Sequence, residues 1–169
     1  MDLLDRLLGH DEWTTHRLLT LAGTLDDELL DVDFDMGHRT VRATASHIIR
    51  NLEVWSDLMA GRPVRPKPGS DGEDRTIASL IARHDRAAAD LATLARGVAD
   101  RGGWDERWLD TLDDPPAEKT LGGAIAHVLT HSMHHRAQLI HMLRRLGAKD
   151  MPEGDVLGWE QQAATPPPE

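Results

Sequence analysis

The fold of this chain is decided by residues 121–146, which read LGGAIAHVLTHSMHHRAQLIHMLRRL. Apolar residues recur in this stretch three and four positions apart, a spacing that places them on one face of an α-helix. Thr120 precedes the stretch as a predicted N-cap, and Gly147 follows it as a predicted stop. We therefore predict one long amphipathic helix here.

Three further stretches show the same periodicity, and each ends at a glycine. They run from about Asp2 to Ala22, from about Thr40 to Ala60 and from about Thr76 to Asp100. The composition is rich in helix-forming residues and poor in the β-branched residues that favour strands. Four helices with one apolar face each predict an all-α, four-helix bundle, and the long connections leave room for a crossover topology.

The connections carry the helix-breaking residues. Residues 61–72 and 102–119 contain prolines and glycines, and we expect both to be irregular loops. The predicted domain organisation is a single bundle domain in residues 1–150. A C-terminal tail follows in residues 151–169, and its last residues are expected to be mobile.

Composition narrows the classes of function. The formal charge of −10 at pH 7 argues against binding nucleic acid or an anionic membrane, because both require basic surfaces. The chain has no cysteine, which excludes disulfides, thiolate ligands and a cysteine nucleophile. We see no signal peptide and no transmembrane run, so a cytoplasmic location is the expectation.

Histidines recur along the last predicted helix at four-residue intervals, so they share one side of it. His131 and His135 fall at the edge of the apolar stripe, within about 60° of its centre at Val128 by the helical period. His127 lies further around the helix, where we expect it to line a site rather than bind an ion. His134 is expected to point to solvent.

His47 lies on the flank of the apolar stripe of the second predicted helix. If that helix neighbours the last one, His47, His131 and His135 can bind one divalent ion and leave positions open, as catalytic sites do. Sites made of imidazoles accept zinc, nickel, copper and iron. A His-x3-His pair also arises by chance in a chain with ten histidines, so periodicity alone makes this a hypothesis.

The segment from His127 to Leu139 resembles the C-terminal helix of the DinB-like (YfiT-related) metalloenzymes, whose pattern is close to H-x3-H-x3-H-R-G-Q. The segment Thr44-Ala-Ser-His47-Ile-Ile resembles their first metal-ligand helix. Residues 10–13 fall where the family tends to have Asn-x-Trp. Two positions depart from the family pattern: Ala137 replaces a glycine, and Asp11 replaces an amide-type residue.

The resemblance implies a four-helix bundle with an unusual crossover, in which His47, His131 and His135 bind nickel, zinc or iron. It also implies a homodimer and a thiol-dependent S-transferase that acts on a small-molecule electrophile with a thiol such as mycothiol or bacillithiol. Relatives of similar fold include maleylpyruvate isomerases. A metal-dependent hydrolase and a non-catalytic, stress-related metal-binding dimer are the alternatives.

Asp11 and His84 lie on apolar helix faces, where a polar group needs a partner. Asp11 is a candidate catalytic residue that could orient a metal-bound imidazole or water, or an arginine could simply satisfy its charge. We expect His84 to be a core histidine bonded to a neighbour. Arg136 is expected to form an ion pair, either within the chain or across a dimer interface.

Overall fold

The protein is described by a computed structural model that covers residues 1–67 and 75–163. Four long helices dominate it, and each begins and ends within one residue of its predicted bounds. They are α1 (Leu3–Ala22), α2 (Val41–Met59), α3 (Ile77–Asp100) and α4 (Leu121–Arg145).

Side-chain caps set the helix starts, because the first N–H groups of a helix lack partners within it. Asp2 Oδ1 accepts a hydrogen bond from the N–H of Asp5 at 2.8 Å. Threonines at positions 40, 76 and 120 cap the other three helices in the same way. The predicted cap at Thr120 is confirmed, and Gly147, with φ +90°, follows the end of α4.

The helices do not pack in chain order. α1 packs against α3 and α4, and α2 packs against the same two helices. Consecutive helices α1 and α2 therefore lie diagonally across the bundle, and so do α3 and α4. A simple up-down bundle would place consecutive helices side by side. The all-α bundle with crossover connections is thus confirmed, and the short 3-10 helix Asp27–Asp31 lies within the first crossover.

The packing places α2 and α4 side by side on one flank of the bundle, and α1 and α3 on the opposite flank. Buried apolar residues fill the space between them in two clusters along the bundle. One includes Leu18, Ile48, Leu80 and Leu139, and the other includes Leu52, Leu91, Ile125 and Val128. Because each helix contributes its apolar stripe, the polar residues at the stripe edges meet at the seams between helices.

The expectation of an irregular loop over residues 102–119 was wrong. A β-hairpin forms there, with β1 (Arg107–Asp110) pairing antiparallel to β2 (Ala117–Thr120). Each strand has four residues, a length at which alternation is hard to distinguish from a loop. The hairpin leads directly into α4.

The expected C-terminal tail contains a further helix, α5 (Val156–Ala163). Trp159 is buried against α1, where Gly9 leaves room for the indole: a Cβ at Gly9 would lie 2.7 Å from a ring carbon. The expectation of mobility at the chain end concerns residues 164–169, which lie outside the described residues, as does part of the predicted loop at 61–72. Within the described ranges, every helix is too short or too polar to cross a bilayer.

Candidate metal centre

The contact between α2 and α4 brings together the three histidines that the sequence singled out. Nε2 of His47 on α2 lies 3.1 Å from Nε2 of His131 on α4. Nε2 of His135, one helical turn further along α4, lies 3.3 Å from the same His131 atom. Nε2 of His131 therefore lies next to a ring nitrogen of each of the other two histidines.

These separations suit a shared cation. Two nitrogens bound to one zinc ion at about 2.0–2.1 Å, with an angle of about 90–110° between them, lie about 2.9–3.4 Å apart. A hydrogen bond between neutral imidazoles explains only one of the two contacts, because Nε2 of His131 carries at most one proton. The donor set therefore fits a metal ion.

Gln138 sets the tautomer of His135. The Nδ1–H of His135 donates a hydrogen bond to Oε1 of Gln138 at 2.8 Å, which leaves the lone pair of Nε2 available. The amide nitrogen of Gln138 lies 3.2 Å from Nε2 of the exposed His134 and can donate to it, as this orientation of the amide requires. An outer hydrogen bond of this kind fixes the ring of a metal ligand and strengthens it as a donor.

The rings in this cluster are neutral at pH 7. Burial, followed by repulsion from neighbouring imidazoles, lowers the pKa of His47 and that of His131 to about 4 each. Burial also lowers the pKa of His135, although its hydrogen bond to Gln138 acts in the opposite direction. Neutral imidazole is the form that binds a metal.

A fourth histidine, which the sequence analysis missed, joins the group. His38 stacks on His47 with ring centroids 3.8 Å apart, and its centroid lies 5.2 Å from that of His135. The ligand atoms of His38, His47 and His135 all lie within 4.8 Å of one another, so these three residues could hold a metal ion, and His131 adjoins them through His47 and His135. We refer to His38, His47, His131 and His135 as the α2–α4 cluster.

The turn before α2 positions His38, which is exposed. Gly37 has φ +49°, and a Cβ there would lie 2.2 Å from Oε1 of Gln138. Only glycine allows the backbone to approach Gln138 this closely in that conformation. The signal in the sequence for a further histidine near the site was the pair Gly37-His38, shortly before the N-cap Thr40. Helical periodicity does not detect it, because His38 lies in a loop.

His127 lies one turn from the cluster along the seam between α2 and α4. Its ring centroid is 5.5 Å from that of His131 and 4.9 Å from that of Trp55. Trp55 in turn contacts Trp108 of the hairpin edge to face, at 5.9 Å. His127 therefore lies between His131 and the tryptophan pair Trp55 and Trp108.

Asp11 lies in the core, where its Oδ1 accepts a hydrogen bond from Nη1 of Arg136 in an ion pair within the chain. The two residues are 3% and 2% exposed. Arg136 directly follows His135 in α4, so Asp11 is connected to the cluster through this helix. The sequence left open whether an arginine or a metal-bound group is its partner, and the structure places the arginine there.

A cavity of about 170 Å³ lies between α1, α4 and α5. Its walls are mainly apolar, and Asp11 and Arg136 are among the residues that line it. None of the lining residues belongs to the α2–α4 cluster. The cavity is therefore separate from the four histidines of the α2–α4 cluster.

Comparison with known sequences agrees with the resemblance carried by the histidine motif. A search of curated proteins gives no match to this chain. The sequence profile of the DinB superfamily matches residues 10–139, about three quarters of the chain, and this range includes all four histidines of the α2–α4 cluster. The chain belongs to the DinB superfamily.

Proposed function

We propose that this protein is a divalent-metal-dependent enzyme in which His47, His131 and His135 hold the ion. The proposed reaction joins a small electrophile to a low-molecular-weight thiol. The observation that carries the proposal is that Nε2 of His131 lies 3.1 Å from Nε2 of His47 and 3.3 Å from Nε2 of His135. Because the chain has no cysteine, the reacting sulfur would come from a co-substrate such as mycothiol or bacillithiol.

The charge of the ligands supports activation of an anion. A divalent ion bound here would lower the pKa of a bound thiol and favour its thiolate form. The neutral imidazoles cancel none of the ion's charge, whereas carboxylate ligands would. In the proposed transfer the thiol releases its proton to water, the sulfur bonds to the electrophilic carbon, and the leaving group departs into solvent with its bonding electron pair.

The residues around the cluster have positioning roles in this proposal. Gln138 holds His135 in the tautomer that presents Nε2. Asp11, which the sequence suggested as catalytic, acts through its buried ion pair with Arg136 and fixes α4 next to His135. His127 and Trp55 line the seam along which a substrate would lie.

Turnover assays with untagged, metal-loaded protein test the proposal. We expect the protein to accelerate consumption of mycothiol or bacillithiol by an alkyl halide, and we expect His131→Ala to abolish this. His141→Ala, an exposed histidine on the same helix, is the matched control and keeps full activity. Hydrolysis of esters or amides without thiol transfer would instead indicate the metal-dependent hydrolase.

A non-catalytic metal-binding role has one observation in its favour, namely His38. A fourth imidazole would complete a tetrahedral shell and leave no position open for a substrate. If His38→Ala weakens metal binding as strongly as His131→Ala, the closed site is correct. If His38→Ala retains the ion, the site has three protein ligands and an open position.

A homodimer and a cytoplasmic location also remain proposals. Exposed apolar side chains on α1, α4 and α5 support the dimer: Leu3, Leu7, Met133 and Leu157. Light scattering on the purified protein should give twice the chain mass of 18.7 kDa. A Met133→Glu variant that remains a dimer would exclude this face as the interface.

A further inference from the structure

We propose a second divalent-cation site on the opposite flank of the bundle, formed by His16 on α1 with His84 and Asp85 on α3. We call these three residues the α1–α3 cluster. It shares no residue with the α2–α4 cluster, and it does not depend on the proposed thiol chemistry.

Two of the three separations between the ligand atoms already have the spacing of a metal site. Nδ1 of His16 lies 2.9 Å from Oδ1 of Asp85, and Nδ1 of His84 lies 3.3 Å from the same oxygen. All three atoms lie within 4.8 Å of one another. Nitrogen and oxygen ligands on one divalent ion at about 2.0–2.2 Å have separations of about 2.9–3.5 Å.

Core packing fixes one of the ligands in advance. His84 is fully buried on the apolar stripe of α3, between Leu80 and Leu91, and its Nδ1 faces outward to Asp85. Its other nitrogen, Nε2, has no hydrogen-bond partner among the described residues. Among the residues that the structure describes, the hydrogen bond of this ring is therefore the one from Nδ1 to Asp85. A ligand held by packing loses little conformational freedom when it binds an ion.

The charge of the cluster also favours a cation. Among the described residues, the ion-pair contacts of Asp85 are with His16 and His84, and no lysine or arginine neutralises the carboxylate. The side chains of His16 and Asp85 are 47% and 48% exposed. The site is therefore open to solvent, and water can complete the coordination of the ion. Two imidazoles and one carboxylate form a donor set that suits borderline divalent metals.

Metal titration of untagged protein tests this site. In the double variant His47→Ala/His131→Ala, which removes two of the four imidazoles of the α2–α4 cluster, we expect one Co²⁺ to bind per chain and to give a visible absorption band. Adding His16→Ala or Asp85→Asn should weaken this binding at least tenfold, as expected for a lost ligand. Adding His141→Ala, an exposed histidine outside both clusters, should leave it unchanged.

The same test works in the wild-type background if the double variant does not fold. There, His16→Ala should lower the Co²⁺ stoichiometry from two ions to one, and the ion in the α2–α4 cluster should remain. Co²⁺ binding that is insensitive to both His16→Ala and Asp85→Asn would overturn the proposal. Failure of thiol transfer would not bear on it, because the readout is the bound ion.

Discussion

The two flanks of the bundle hold their ligating side chains in different ways. The α2–α4 cluster consists of imidazoles alone, and burial lowers the pKa values of His47, His131 and His135. The α1–α3 cluster contains a carboxylate, and two of its three side chains are about half exposed. A divalent ion would keep its double charge in the first cluster, whereas Asp85 would reduce the charge to one in the second. A divalent ion in the α2–α4 cluster would therefore lower the pKa of a bound thiol more than the same ion in the α1–α3 cluster would.

The surroundings of the clusters differ as well. His135 has an outer partner in Gln138, which sets its tautomer, while Nε2 of His84 lacks a partner among the described residues. Outer hydrogen bonds of this kind strengthen metal binding by about 10–100-fold. We therefore expect the α2–α4 cluster to bind a given metal more tightly than the α1–α3 cluster.

The largest expected effect on stability distinguishes two carboxylates: Asp11, in the core behind the α2–α4 cluster, and Asp85, a member of the α1–α3 cluster. Asp11→Ala would leave Arg136 buried without a partner, and we expect it to lower the free energy of unfolding by about 3–5 kcal/mol. Asp85→Ala removes a half-exposed carboxylate but leaves the buried His84 without its hydrogen-bond partner, and should cost about 1–3 kcal/mol in metal-free protein. Urea unfolding with a chelator present measures both. Equal losses would show that the Asp11–Arg136 pair does not stabilise the core.

The next largest effect concerns the ligands of the α2–α4 cluster. His47→Ala, His131→Ala and His135→Ala should each weaken zinc binding more than about 100-fold, beyond the effect of losing an outer partner. His134→Ala, next to His135 but exposed, is the control and should remain within tenfold of wild type. Competition with a chelator of known affinity measures this. If His134→Ala loses zinc and His135→Ala retains it, the ion is held by the face of α4 that carries His134.

Much of this arrangement was predictable because it depends on helical periodicity. The apolar stripes located four helices within one residue at each end, and the four-residue spacing placed His131 and His135 on the seam that faces His47. The resemblance to the DinB family supplied the pairing of distant helices, which periodicity cannot provide. His38, the hairpin and α5 escaped prediction because loop positions and very short elements have no period to detect. Asp85 escaped because its role depends on a neighbouring helix.

Gln138 provides a smaller and more specific effect. Gln138→Ala should weaken zinc binding by about 10–100-fold, because the ring of His135 loses its fixed tautomer and orientation. Gln162→Ala, an exposed glutamine on α5, is the matched control. Partial rescue by Gln138→Glu, whose carboxylate can also accept from Nδ1–H, distinguishes this role from a general loss of structure. If Gln138→Ala binds zinc as tightly as wild type, the outer hydrogen bond contributes nothing.

A separate expected effect is a pH dependence of the metal-free protein. The folded pKa values of His47 and His131, about 4, lie below the ordinary value of 6.5. Between these pH values the unfolded state binds more protons than the folded state, so the free energy of unfolding should fall as the pH drops from 6.5 to about 4. His131→Asn should flatten this slope, as measured by urea unfolding at a series of pH values. If the slope is unchanged in the variant, the pKa of His131 is not lowered in the folded protein.

X-ray absorption at the zinc edge, on untagged protein loaded with one equivalent of zinc, tests the central claim most directly. We predict three or four imidazole nitrogens at about 2.0–2.1 Å from the ion, and the loss of this signal in the His131→Ala variant. A spectrum with fewer than three imidazoles, or one that His131→Ala leaves unchanged, would show that α2 and α4 do not jointly hold the ion.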